Sequence, residues 1–229
     1  MKKHIALIAA VSVMFLTASC SSNKGPAGPA GGSEATAIFM YGEYPSNAYT
    51  AAATAPIVSN TYANDNYITS TTGWIGYDTV NARTLISFDV SSIVPAGVTI
   101  NSAKLMIYVY SATTTAPMTV GAYSVLKNWT GTGATWMDYN ASPSTWTTPG
   151  GDYNATPVGT VVVPSTGTNV YYTISLPTSL VQNWLVNPSQ NYGLILKSTV
   201  ETAGVGVLDI NTNAAGEGTR PELIVNYSL

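Results

Sequence analysis

The chain of 229 residues carries eight Lys and Arg against eleven Asp and Glu, with 8% charged and 45% hydrophobic residues. Its only histidine, His4, and only cysteine, Cys20, sit near the N-terminus, so processing before residue 20 leaves no imidazole. Ser-His-Asp and Cys-His catalysis, His- or Cys-based zinc sites and an intramolecular disulfide are thereby excluded, and the lack of a basic cluster argues against nucleic acid as a partner.

In chain order, Lys2 and Lys3 give a positive start, followed by an apolar run over 5–16 too short to span a bilayer. Thr17, Ala18 and Ser19 are small and lead into Cys20. This arrangement resembles a bacterial lipobox, with Leu16 four residues before the cysteine, and implies a signal peptide over 1–19 and a diacylated Cys20. Ser21 resembles the sorting position of outer-membrane lipoproteins, so membrane contact is expected through the lipid alone. Cleavage there leaves 210 residues with six basic and eleven acidic side chains, a formal charge of −5. Residues 20–34 read as a Gly/Pro/Ser-rich tether, since two Gly-x-y triplets beginning at Gly25 cannot build a triple helix.

Residues 35–229 read as one domain of short strands punctuated by Gly, Pro, Asn and Ser. Thr84, Ile86, Phe88 and Val90 alternate with Arg83, Leu85, Ser87 and Asp89, which predicts one strongly apolar face. Pro95-Ala96-Gly97 marks a turn, after which Leu105, Ile107 and Val109 share a face opposite Met106, Tyr108 and Tyr110. Further strands are predicted over 119–126, 159–163, 170–176, 192–197, 206–210 and 223–227. One short helix is predicted after Pro177, capped by Thr178 or Ser179, burying Leu180, Val181, Trp184 and Leu185 and ending at Asn187-Pro188. Many short strands without interleaved helices predict an all-β antiparallel β-sandwich or jelly roll.

Three segments in order resemble the DNRLRE-domain family, jelly-roll domains grouped as carbohydrate-binding module family 96. The first is Arg83-Thr84-Leu85-Ile86-Ser87-Phe88-Asp89-Val90, its Pro95-Ala96-Gly97 turn (with Val94 inserted before it), and Ser102-Ala103-Lys104-Leu105. The second holds Trp129, Ala134-Thr135-Trp136 and Trp146-Thr147-Thr148-Pro149-Gly150-Gly151-Asp152-Tyr153. The third runs through Tyr192-Gly193-Leu194-Ile195-Leu196 to Arg220-Pro221-Glu222-Leu223. The resemblance extends over about 49–227. It implies an extracellular domain of a kind often joined to polysaccharide-degrading enzymes, with acidic polysaccharides bound by some members.

Five tryptophans and fifteen tyrosines supply candidate sugar platforms. Trp129, Trp136 and Trp184 are expected in the core. Trp74 lies between Gly73 and Gly76 and Trp146 precedes Pro149-Gly150-Gly151, so both are candidates for exposed stacking rings, with Tyr77 beside the first. Asp152 and Tyr153 follow two glycines, either as a ligand-facing loop or as a turn whose Asp bonds its own backbone. Arg83 either pairs with protein carboxylates or carbonyls or clamps a uronate carboxylate. Asn64, Asp65, Asn66 and Asp78 offer oxygen ligands for a structural calcium, the one cofactor the sequence raises, without matching a known loop spacing. Asp89 is expected to fix the Ser91-Ser92 turn rather than to act as one of a glycosidase's carboxylates with Asp138 or Asp152.

Together these features predict a non-enzymatic, lipid-anchored surface module that binds a polysaccharide or cell-envelope glycan. The alternative is a structural subunit of a surface coat or filament that self-associates through sheet edges. A groove lined by Trp or Tyr favours the first, and a mostly aliphatic exposed face the second.

Overall fold

The computed structural model describes residues 32–202 and 204–229. The predicted signal segment, Cys20 and the predicted tether up to residue 31 lie outside the described residues.

Eleven strands and one helix form among the described residues. The first six strands are β1 (Glu34–Met40), β2 (Ala52–Val58), β3 (Thr72–Tyr77), β4 (Asn81–Phe88), β5 (Thr99–Ala112) and β6 (Met118–Ser124). The rest are β7 (Gly159–Val163), β8 (Val170–Leu176), α1 (Thr178–Val186), β9 (Leu194–Ser198), β10 (Gly206–Asn211) and β11 (Glu222–Ser228). They hydrogen-bond in the order β1-β11-β5-β10-β3-β4-β9-β6-β7, with β2 added on β4 and β8 on β5. Every pair is antiparallel, and the curled sheet folds over itself as an all-β sandwich.

The 14-residue β5 is the spine. Its first half pairs with β11, its middle with β8 and its end with β10. Leu105, Ile107 and Val109 are fully buried between the sheets, as their alternation requires. Each such side chain contributes roughly 1.5–3 kcal/mol on leaving water. Ile86 and Phe88 of β4, and Val90 just beyond it, enter the same core.

The other face of β4 departs from simple alternation, because Leu85 is also fully buried. Residues 125–158, a long connection between β6 and β7 without regular strands, fold over that outer face. They lay Trp129, Trp136 and Trp146 on Leu85, Ile57 and Ile195 as a second apolar cluster. Two indole N–H groups are satisfied within it: Trp129 Nε1 donates to the Tyr192 carbonyl at 2.8 Å and Trp146 Nε1 to the Thr135 carbonyl at 3.0 Å.

The helix buries Val181, Trp184 and Leu185 and ends before Pro188. Its start differs from the expected side-chain cap. Pro177 occupies the N-cap, and its carbonyl accepts from the Leu180 and Val181 N–H groups at 3.1 and 3.4 Å. Asp89 fixes the following turn, accepting from the Ser91 hydroxyl at 2.7 Å and the Ser92 N–H at 3.2 Å.

Candidate functional site

The fold separates the sequence candidates into four settings. Trp146 is only 4% exposed. It belongs to the second core and presents no ring to a ligand, which corrects the expectation that it pairs with Trp74 at the surface. Arg83, Asp152 and Tyr153 line one cleft of about 620 Å³, with Lys127, Thr147 and Pro149. Trp74 lines a separate groove of about 300 Å³, with Val58, Tyr62, Tyr67, Asp78 and Val207. Tyr77 is half-buried at the end of β3, opposite Asn81 and Gly206, and lines neither.

The first cleft is built around charges that already satisfy one another. Arg83 points outward from β4 and donates from Nε and Nη2 to the two oxygens of Glu201, each at 2.8 Å. Its Nη1 donates to the Gly150 carbonyl at 2.6 Å. The guanidinium lies over the Trp136 ring at 4.7 Å and the Tyr153 ring at 5.4 Å. Glu201 thus fills the bidentate fork that a uronate would need, and Arg83 takes the first of its two readings, an internal tie to a carboxylate and a carbonyl. Lys197 joins the same carboxylate at 3.1 Å, so two buried cations share one anion. Gly150, at φ +93°, makes the approach possible: a Cβ there would lie 2.7 Å from Arg83 Nη1 and 2.6 Å from the Trp136 ring.

Asp152 stands at the rim and accepts from the Thr147 and Thr148 N–H groups at 2.9 and 3.1 Å, the structural turn among its two readings. Burial pushes its carboxyl up, but these backbone donors, with Lys127 nearby, outweigh that and hold it below the ordinary carboxylate value. Burial pushes the Tyr153 hydroxyl up, against the pull of Arg83.

The second groove is aromatic. Trp74 is held on β3, whose backbone carbonyl at that residue accepts from the Thr84 hydroxyl at 3.1 Å. Tyr67 meets its ring edge-on, centroids 5.3 Å apart at 84°. Tyr62, on a short 3-10 turn (Asn60–Tyr62), is 47% exposed. The 59–71 loop carrying both tyrosines is pinned from behind. Asn66 Nδ2 donates to the Gly131 and Ala134 carbonyls at 2.8 Å each, its Oδ1 accepts from the Ile68 N–H, and the Met137 N–H reaches the Ala63 carbonyl at 3.2 Å. The aromatic wall of the groove is therefore held in place by the fold itself.

The oxygen-rich residues weighed for calcium fall around this groove. Asn66 is spent on the loop, Asp65 accepts from the Tyr67 hydroxyl at 3.3 Å, and Asp78 lines the mouth. Among the described residues no three Asp, Glu, His or Cys side chains gather in a way that could hold a metal ion.

Sequence reasoning missed Tyr62 and Tyr67, which sit in a loop with no period, and Glu201 and Lys197. The scarcity of charge was the one available signal for the last two, since a buried Arg must find a carboxylate somewhere. The family model of carbohydrate-binding module family 96 matches residues 46–227. No curated protein matches the chain.

Proposed function

Because this chain belongs to carbohydrate-binding module family 96, we propose that it is a non-catalytic glycan-binding module that takes a sugar ring in the Trp74 groove. The observation that carries this reading is the convergence of three aromatic side chains, Trp74, Tyr62 and Tyr67, on one pre-set groove. The apolar C–H face of a pyranose stacks on such rings, while rim oxygens bond its hydroxyls. The groove lies at the small end of the usual range of roughly 300–1,000 Å³ for ligand sites, which suits one ring of a chain rather than a long segment. Large exposed hydrophobic side chains elsewhere, such as Val162 on β7, Val186 on α1 and Val200 in the loop after β9, stand on separate segments. Nothing there favours the coat or filament reading over the groove.

Display at the surface by a lipid on Cys20 belongs to the same proposal, supported by the small residues before that only cysteine. Labelling with an acyl-chain probe should mark the wild type and not Cys20→Ser; equal labelling would overturn the anchor.

The binding test is a glycan array, followed by calorimetric titration of the selected glycan. Trp74→Ala should weaken binding by roughly 1–3 kcal/mol, with folding stability nearly unchanged. Unaltered affinity in Trp74→Ala, or no glycan retained at all, would overturn the reading.

A further inference from the structure

The two clefts differ in polarity. Five basic side chains stand among the described residues: Arg83, Lys104, Lys127, Lys197 and Arg220. Arg83 and Lys197 are tied to Glu201, and Lys127 lies over the Tyr139 ring beside the same cleft. Arg220 donates to the Tyr41 and Ala215 carbonyls and lies 3.8 Å from Glu43. Lys104 sits on β5 between Ile224 and Ser175. None of the five lines the Trp74 groove. One carboxylate lines it, Asp78, exposed and without a hydrogen-bond or ion-pair partner among the described residues, and a second, Asp65, stands behind the wall and accepts from the Tyr67 hydroxyl.

An aromatic surface flanked by carboxylates and lacking a cation repels an anionic guest and attracts a cationic one. Ring quadrupoles present negative faces to a cation, and the carboxylates add a Coulomb term within the Debye length. A uronate or sulfated ring entering there would meet like charge with no arginine or lysine to receive it. A hexosamine ring offers both features the groove can use, an apolar C–H face for Trp74 and an ammonium for Asp78. We propose that the Trp74 groove selects amino-sugar units over neutral ones and rejects acidic ones. This rests on the glycan-binding reading above and assigns that site its substrate class.

The test titrates the full-length protein with oligomers of glucosamine, of N-acetylglucosamine and of a uronic acid, matched in length. It is run at mildly acidic pH, where the sugar amine is protonated. The free amine should bind about threefold to tenfold more tightly than its acetylated counterpart, the scale of one or two exposed charge pairs. The uronate should bind weakest. The amine's margin should shrink as salt is raised and should narrow in Asp78→Asn, while Trp74→Ala weakens both amine and acetylated oligomers. Equal affinity for amine and acetylated oligomers, both lost in Trp74→Ala, would overturn the selectivity and leave the glycan-binding reading standing. Tightest binding of the uronate would overturn the selectivity, and if that binding survived Trp74→Ala it would also move the glycan out of this groove. No binding of any oligomer here, nor of any glycan on the array, would overturn both.

Discussion

Trp146 stands just ahead of a Pro-Gly-Gly run, a setting that favours the surface, yet its ring is 4% exposed and its N–H is spent on the Thr135 carbonyl. Two side chains thus share a residue type but not a role: Trp74 meets solvent in a groove and Trp146 holds a loop to the sheet. Trp146→Ala should cost about 3–5 kcal/mol of folding stability, read from the shift in denaturation midpoint. Trp146→Phe should cost less, retaining a ring but leaving the Thr135 carbonyl without its indole donor. The Arg83–Glu201 tie acts on the same scale. Glu201→Gln leaves Arg83 and Lys197 buried against a neutral amide, and breaking such a pair costs about 3–5 kcal/mol. Because the three groups are largely shielded, added salt should recover little of that loss in urea titrations, unlike a surface pair.

Among the elements, the 147–152 turn should lose stability as pH falls. The Asp152 carboxyl is held below its ordinary value of 3.8. Its contribution is therefore fully present above that value and is lost as pH falls through the lowered folded-state value. Asp152→Asn should lose about 1 kcal/mol near neutral pH, and the gap to wild type should close in acid melts below about pH 4. A gap that persisted at low pH would mean that the asparagine fails sterically, not through its lost charge. Periodicity made β5, β8 and α1 legible in the sequence, because each buries one face and the pattern repeats within the element; β4 was legible from its Ile86 and Phe88 face, although its other face is covered too. β2 escaped it: Ala52 to Val58 is small and apolar on both faces and contains Pro56, without alternation to follow. The second core escaped it too, since Trp129, Trp136 and Trp146 meet β4 through contacts distant in sequence. Of the aromatic groove, Trp74 was legible from its flanking glycines. Tyr62 and Tyr67 were not, because only the loop's docking by Asn66 brings them to Trp74.

At the scale of the whole molecule, the family match begins at residue 46, beyond β1, yet the sandwich uses that strand. β1 pairs with β11 from Glu34↔Ser228 through Met40↔Glu222 and closes its free edge. Phe39 is fully buried and meets the Tyr49 ring edge-on at 5.8 Å. Burial pushes the Tyr49 hydroxyl far up, as expected beneath such a lid. A chain begun at residue 46 would keep the whole matched span but present β11 as an open edge beside an uncovered apolar core, the arrangement that recruits foreign strands. Such a truncation should melt well below a chain begun at residue 32 and should self-associate in sedimentation experiments. Phe39→Ala in the intact protein separates the two effects. It should lose about 3–5 kcal/mol from the cavity while β1 still covers β11, so it should stay monomeric if the untruncated protein is. Equal stability of the two truncations would show that β1 only decorates the edge. Self-association of Phe39→Ala to the same degree as the shorter chain would place the cause in the exposed core rather than in the open strand.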